Sequence, residues 1–130
     1  MDGGEALTVF AGIGCRAQTP ASEIVAVVRE ACARLQRGAD VLAAPAFKAA
    51  EAGLSEAARL LGLRLVLVDQ AALIAAQALC VTHSAASAHA TGVASVAEGS
   101  ALAAAGPGAR LILPRITHAR ATCALAETAP

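Results

Sequence analysis

Short apolar segments alternate with amphipathic stretches along most of this chain of 130 residues, and this alternation constrains the fold more than any other feature. The apolar segments predict strands over residues 7–13, 41–44 and 63–68. A stretch with helical spacing follows each of them. Because strands that alternate with helices form a largely parallel sheet between helical layers, the pattern predicts an α/β fold.

Capping residues mark the predicted helices. The first helix is expected to have Thr19 as its N-cap and Pro20 at its first position, and to end at Gly38. Ser95 and Glu98 have the spacing of a capping box at the start of the last helix. The other predicted helices cover residues 54–61 (ended by Gly62), 70–78 (capped by Asp69) and 84–91 (closed by Gly92), and the last runs from 95 to 105.

Two further apolar segments, residues 111–113 and 122–126, close the pattern. The short separation between them predicts an antiparallel hairpin. The complete prediction is a three-layer α/β/α fold with a mixed, mainly parallel sheet of about five strands and a C-terminal antiparallel hairpin. No linker or repeat divides the chain, so a single domain over residues 1–130 is expected.

Charge and composition exclude several classes of partner. The net charge is zero and aromatic residues make up only 2% of the chain, which argues against nucleic-acid binding. The longest uncharged stretch, residues 70–97, contains Gln, His, Thr and Ser, so no membrane association is expected. Asp2 and Glu5 stand where a signal peptide would carry basic residues, which favours a cytoplasmic location.

The cysteines and histidines are dispersed. Cys15, Cys32, Cys80 and Cys123 form no CxxC pair, and the three histidines show no metal-ligand spacing. We therefore expect neither a metal nor a cofactor. Three of the cysteines are interpreted as small buried thiols, and only Cys15 follows glycines in a predicted loop.

The connection after the first strand is the richest candidate site. Gly12 and Gly14 permit a close approach of the backbone or a positive φ, and Arg16 offers a planar fork for carboxylate or phosphate. The expected helix N-terminus at Thr19 also favours anions. These residues predict an anion-receptive loop, and the alternative is a tight turn without a ligand.

Other cations are expected near the same edge of the sheet. Lys48 follows the second strand, and Arg115 and Arg120 belong to a cluster of basic residues around the final hairpin. Together with Arg16 they predict a basic cleft for a ligand with several negative charges. Glu98 is either a capping carboxylate or an acid–base group.

Four blocks of sequence, in order, resemble one known family. They are G-I-G-C-R at residues 12–16, K-A-A-E-A-G-L at 48–54, G-V-A-S-V-A-E at 92–98, and the closing pair L-P-R at 113–115 and T-C-A-L-A at 122–126. The chain is similar in these blocks to the CobE proteins and the C-terminal domain of the CbiG proteins of cobalamin biosynthesis. The resemblance covers nearly the whole chain.

This resemblance implies a role in building the corrin ring, whose intermediates carry many acetate and propionate carboxylates. The expected ligand is a corrin or precorrin intermediate such as hydrogenobyrinic acid, held by arginine at a helix N-terminus. The predicted ligand-binding residues are Gly12, Gly14, Cys15, Arg16, Thr19, Lys48, Glu98 and Arg115.

Three molecular roles are compatible with the sequence. The leading hypothesis is a carrier or accessory protein that binds a corrin intermediate without turnover. The second is an enzyme that resembles the CbiG proteins, which open a precorrin lactone, with Cys15 or Glu98 as nucleophile or acid–base candidate. The third is a module that docks on another enzyme of the cobalamin pathway.

Overall fold

The structure is a computed structural model, which describes residues 7–82 and 95–130. The predicted helix at residues 84–91 lies outside them, as do His83 and His89. The strands are β1 (Val9–Cys15), β2 (Val41–Pro45), β3 (Arg64–Val68), β4 (Arg110–His118) and β5 (Ala121–Glu127). The helices are α1 (Ala21–Leu35), α2 (Ala52–Leu61), α3 (Gln70–Ala75) and α4 (Val96–Ala105), with short 3-10 turns at Ala46–Lys48 and Ala76–Leu79.

The five strands form one mixed sheet in the order β3-β2-β1-β5-β4. β2 is parallel to both β1 and β3, whereas β5 is antiparallel to β1 and β4. The mixed sheet and the C-terminal hairpin are confirmed. Because Cys15 at the end of β1 is paired with Ala121 at the start of β5, the β4–β5 turn lies beside the carboxyl end of β1.

Helices cover both faces of this sheet. Alternate β1 residues (Val9, Ala11 and Ile13) pack into a core with α1 and α2. On the opposite face Leu102 of α4 packs near Ala126. This alternation follows from the period of two along a strand. Burying one large aliphatic side chain, such as the fully buried Leu42, stabilises the fold by about 1.5–3 kcal/mol.

The predicted first helix starts and ends differently. Thr19 is not a cap: its hydroxyl donates a hydrogen bond to the Arg16 carbonyl oxygen at 2.7 Å, and the extended residue before α1 is Pro20. At the other end α1 stops at Leu35 and its C-cap is Gln36, with a φ of 53°, so the helix ends before the predicted Gly38. The Thr19 hydroxyl therefore stabilises the β1–α1 connection, because its partner, Arg16, precedes the helix.

Two other predicted helix boundaries are confirmed. The Asp69 carboxylate accepts a hydrogen bond from the Ala72 amide at 2.8 Å, as an N-cap does. Gly62 ends α2 with a φ of 70°, which a residue with a Cβ adopts only at a cost.

The nearly continuous apolar run at residues 63–68 predicts a strand covered on both faces, and this prediction is wrong. β3 lies at the edge of the sheet, and both Arg64 and Leu67 are exposed. An almost continuous apolar run is typical of a central parallel strand, but the same run occurs here at an edge that little else covers.

Candidate functional site

A cleft of about 290 Å³ opens at the carboxyl end of β1, between the β1–α1 connection and the β4–β5 hairpin. The topology accounts for its position, because antiparallel pairing with β5 places the hairpin turn next to the end of β1. The side chains that give the cleft its chemical character are Cys15, Arg16, Arg115, Thr117, Arg120 and Thr122.

Arg16 stands at the mouth of this cleft. Its backbone amide donates to the Arg120 carbonyl oxygen at 3.1 Å, which ties the β1–α1 connection to the hairpin turn. Its side chain is exposed and forms no ion pair within residues 7–82 and 95–130. The guanidinium is therefore available to an anionic ligand.

Arg115 lines the same cleft from β4. It follows Pro114 at an irregularity where two β4 residues face one residue of β5. The side chain is half-buried, and no acidic side chain in the described part of the chain pairs with it. The structure thus brings together Arg16 and Arg115, which were predicted to share a basic cleft.

Arg120 contributes a third guanidinium at the rim, but one already neutralised. It binds the Glu23 carboxylate at 2.6 Å and 3.1 Å. The hydrogen bond from Arg120 is the main reason that the pKa of Glu23 is lowered. The Glu23 carboxylate is thus paired with Arg120.

The two glycines of the first connection differ from the expectation. Both lie within β1, where Gly12 is paired with Ala124 and Gly14 with Thr122, so neither belongs to an open loop. β1 extends this far because β5 runs beside it to Cys15. Gly14 lines the cleft, and its carbonyl accepts a hydrogen bond from the Thr122 hydroxyl at 3.2 Å.

Gly12 is buried beneath α4 and does not line the cleft. A Cβ there would overlap the carbonyl oxygen of Ala97 and lie 2.6 Å from the Ala101 amide nitrogen. The close backbone approach predicted for this glycine is real, but it is made to a helix and not to a ligand. Gly12 therefore sets the spacing between β1 and α4.

Cys15 forms part of the cleft wall and is half-buried. Burial raises the pKa of its thiol; the positive charge of Lys48 partly opposes this rise and the negative charge of Glu51 adds to it. Because the thiolate is the reactive form of cysteine, these surroundings do not activate Cys15 as a nucleophile.

The other cysteines have the packing expected of small buried thiols in two of three cases. Cys80 and Cys123 are buried, and Cys32 is half-buried. Burial raises the pKa of all three thiols, that of Cys80 to about 11.

Lys48 and Thr19 do not line the cleft. Lys48 is half-buried at the end of the 3-10 turn after β2, close enough for its charge to act on Cys15. Thr19 is buried, and its hydroxyl and amide both bind the Arg16 carbonyl oxygen. The Gln18 amide donates a hydrogen bond to the Glu51 carboxylate at 2.8 Å, which joins the β1–α1 connection to the β2–α2 connection.

Glu98 is fully buried, and both oxygens of its carboxylate accept hydrogen bonds. Oε1 accepts from the amides of Val81 and Thr82 at 2.8 and 2.9 Å. Oε2 accepts from the Thr82 hydroxyl at 2.6 Å and the Arg115 amide at 2.9 Å. Burial alone would raise the pKa of Glu98, but the hydrogen bonds from Arg115, Thr82 and Val81 outweigh it and lower the pKa.

Only half of the predicted capping box forms. The Ser95 hydroxyl accepts from the Glu98 amide at 3.3 Å, as expected. The reciprocal bond is absent, because the Ser95 amide donates to Gln77 at 3.0 Å and the Glu98 carboxylate turns toward Thr82 and Arg115. A capping role accounts for the backbone of Glu98 and not for its side chain.

The lowered pKa of Glu98 predicts a pH dependence of stability. A carboxylate whose folded-state pKa is depressed stabilises the fold above its unfolded value near 4.5, and the contribution disappears as the pH falls through the folded value. At pH 7 we expect Glu98→Gln to lower the free energy of unfolding by roughly 1.5–3 kcal/mol, the value of one hydrogen bond to a charged group. Urea denaturation of both proteins from pH 7 to pH 3 should show this difference shrinking below about pH 4.5. A constant difference would contradict the assignment.

Metal clusters and membrane-spanning helices are both absent from the described part of the chain. Residues 7–82 and 95–130 contain no group of three or more Cys, His, Asp or Glu side chains placed to hold a metal ion. None of the helices within these ranges has the length and apolar character needed to cross a bilayer.

The fold and the cleft define a small three-layer α/β protein with an arginine-lined cleft at the carboxyl end of β1. Residues 9–126 match the family model described as "Cobalamin synthesis G C-terminus". The chain belongs to this family of cobalamin biosynthesis proteins. The resemblance seen in the sequence is confirmed.

Solved structures agree with this assignment. CobE, a protein from the cobalamin (vitamin B12) biosynthetic pathway, is 32% identical, with a TM-score of 0.88 and coverage of 95% of this chain and 92% of that one. The cobalamin biosynthesis protein chiG from Agrobacterium tumefaciens is 42% identical, with a TM-score of 0.78 and coverage of 95% and 100%.

A third structure shares the fold. It is a cobalamin biosynthesis protein G homolog from Sulfolobus solfataricus, which is 24% identical with a TM-score of 0.72. The match covers 95% of this chain but only 37% of that longer chain. A search of curated protein sequences gave no match.

Proposed function

We propose that this protein binds a carboxylate-rich corrin or precorrin intermediate in the cleft at the end of β1, as a carrier or accessory protein of cobalamin biosynthesis. One observation carries the proposal: the side chains of Arg16 and Arg115 line one cleft, and neither guanidinium forms an ion pair with an acidic side chain in the described part of the chain.

The chemistry of the ligand suits these residues. Corrin intermediates carry acetate and propionate groups around the macrocycle, and a guanidinium binds a carboxylate through two parallel hydrogen bonds. The cleft has a volume of only about 290 Å³, so it suits the peripheral carboxylates of a macrocycle better than the whole ring. The family membership directs the choice among anionic ligands toward corrins.

Binding without turnover is favoured over hydrolysis of a precorrin lactone. The two catalytic candidates differ from what a hydrolase needs: the pKa of Cys15 is raised by burial, and both Glu98 oxygens are already occupied by hydrogen-bond donors. A nucleophile or a general base needs a lone pair directed at the ligand.

Calorimetric titration of the purified protein with hydrogenobyrinic acid tests the proposal. We expect saturable binding at micromolar ligand that weakens as salt is added, because partly exposed ion pairs are screened. Absence of heat and of any change in the corrin absorption spectrum would refute binding. Mass spectrometry after incubation with a precorrin lactone separates the two roles, since an opened lactone would establish turnover.

Substitution of Lys48 tests the extent of the basic site. Lys48 is half-buried beside Cys15, and its charge adds to the positive potential behind Arg16. We expect Lys48→Ala to weaken binding of hydrogenobyrinic acid by a few-fold, about 1 kcal/mol or less, because it does not line the cleft. The melting temperature should not change. A lower melting temperature with unchanged affinity would show that Lys48 is structural.

A further inference from the structure

We propose that Glu98 is a positioning residue for Arg115: its buried carboxylate fixes the irregular segment of β4 from which the Arg115 guanidinium enters the cleft. The inference rests on the proposed function, because it assigns a role in the same site.

The backbone of β4 is irregular at Arg115. Leu113 is paired with Leu125 and Ile116 with Cys123, so Pro114 and Arg115 together face one β5 residue. Such a bulge twists a strand and redirects a side chain. Pro114 has no N–H, and the Arg115 N–H donates to Glu98 Oε2 at 2.9 Å. The carboxylate therefore satisfies a backbone donor at the bulge.

Two residues of another segment, Val81 and Thr82, hold the carboxylate itself. Val81 and Thr82 donate both backbone amides to Oε1, and the Thr82 hydroxyl donates to Oε2 at 2.6 Å. Glu98 has no exposed surface, so any change in its position requires several hydrogen bonds to break together. The buried Glu98 side chain thus joins Val81 and Thr82 to Arg115, which lines the cleft.

Glu98 has no direct place in the cleft. It is absent from the lining of the cleft, both of its oxygens face protein donors, and among these donors the Arg115 amide is the one that belongs to a lining residue. Arg16 provides the contrast, because its backbone is fixed by Arg120 and by Thr19, with no contact to Glu98. A change at Glu98 should alter the contribution of Arg115 and leave that of Arg16 intact.

A double-mutant cycle tests this coupling with hydrogenobyrinic acid as the probe. We expect Arg115→Ala to weaken binding by about tenfold or more, and Glu98→Gln by several-fold to about tenfold. The protein with both changes should have a Kd within about twofold of that of Arg115→Ala, because it has no Arg115 guanidinium left for Glu98 to position. Glu98→Gln combined with Arg16→Ala should instead show the product of the two single factors. Factors that multiply for Glu98 and Arg115 would overturn the proposal.

A measurement without ligand separates this inference from the proposed function. The Nε–Hε heteronuclear NOE of Arg115 reports how well its guanidinium is ordered, and we expect Glu98→Gln to lower it while the value for Arg16 stays unchanged. If the wild-type protein binds no corrin, the proposed function fails, and this NMR comparison alone decides the role of Glu98. Equal order of Arg115 in both proteins would refute it.

Thr82→Val serves if Glu98→Gln does not fold. It removes only the hydroxyl that donates to Glu98 Oε2, the oxygen that also accepts from Arg115. We expect the same loss of Arg115 order to a smaller extent. An unchanged Arg115 signal in a folded Thr82→Val protein, with Arg115→Ala still impairing binding, would mean that Glu98 supports the fold without positioning the arginine.

Discussion

Replacing Gly12 with alanine is expected to lower the free energy of unfolding by at least about 3 kcal/mol, a large fraction of the stability of a small domain. The added Cβ would overlap the Ala97 carbonyl oxygen, and the Ala101 amide nitrogen and Cβ would lie only 2.6 and 2.9 Å away. These are mostly backbone atoms of α4, so no side chain can rotate to make room. Either β1 or the helix must move, and both belong to the core.

Gly38→Ala is the matched control. No atom lies within 4 Å of the Cβ that it would add, and the backbone there is not in the left-handed region. We expect its stability to equal or slightly exceed that of the wild type, because alanine restricts the unfolded chain more than glycine does. Urea denaturation of the three proteins at pH 7 measures both effects. Similar midpoints for Gly12→Ala and Gly38→Ala would show that α4 does not press on β1 as described.

The contact at Gly12 also explains why the glycine pattern was informative but misassigned. From the sequence, two glycines near Arg16 predicted a loop that approaches a ligand. In the structure Gly14 does border the cleft, whereas Gly12 borders a helix. A glycine that permits close approach looks the same in the sequence whether a ligand or a protein backbone fills the space, so the identity of the neighbour depends on the tertiary fold.

The fold was more predictable than the site because its signals are local. The strands, the hairpin, Gly62 and the Asp69 cap all depend on neighbouring residues or on simple periodicity. The exposed edge strand β3 was missed because its apolar run resembles a central strand. Whether a strand lies at the edge is decided by the order of pairing across the whole sheet.

The site residues depend on contacts between distant segments. Arg16 and Arg115 line the same cleft because β5 is paired with both β1 and β4. The basic cluster in the sequence suggested this proximity but did not establish it. The partners of the Glu98 carboxylate lie 16 and 17 positions away, on both sides, so the capping-box spacing gave only its backbone role. The burial of Glu98, which requires such a network, is seen only in the structure.

Arg16→Ala is expected to weaken binding of hydrogenobyrinic acid by roughly 1.5–3 kcal/mol, or about 10- to 150-fold in Kd, if one charge-assisted pair with a ligand carboxylate is lost. The side chain is exposed and pairs with no acidic residue within the described ranges, so its removal leaves no buried charge behind. The melting temperature should therefore change little. Arg29→Ala, which removes an exposed arginine of α1 away from the cleft, is the control for net charge and should bind like the wild type.

Two further comparisons distinguish a fitted contact from general attraction. Arg16→Lys retains the charge but loses the planar fork, so it should recover only part of the affinity. Raising the salt concentration should reduce the advantage of the wild type over Arg16→Ala, since the pair lies at the mouth of an open cleft where ions screen it. Calorimetric titration of all four proteins at two salt concentrations gives these values. If Arg16→Ala and Arg29→Ala bind equally well, the anion site does not include Arg16, and the connection after β1 is a tight turn that only fastens the hairpin through the Arg120 carbonyl.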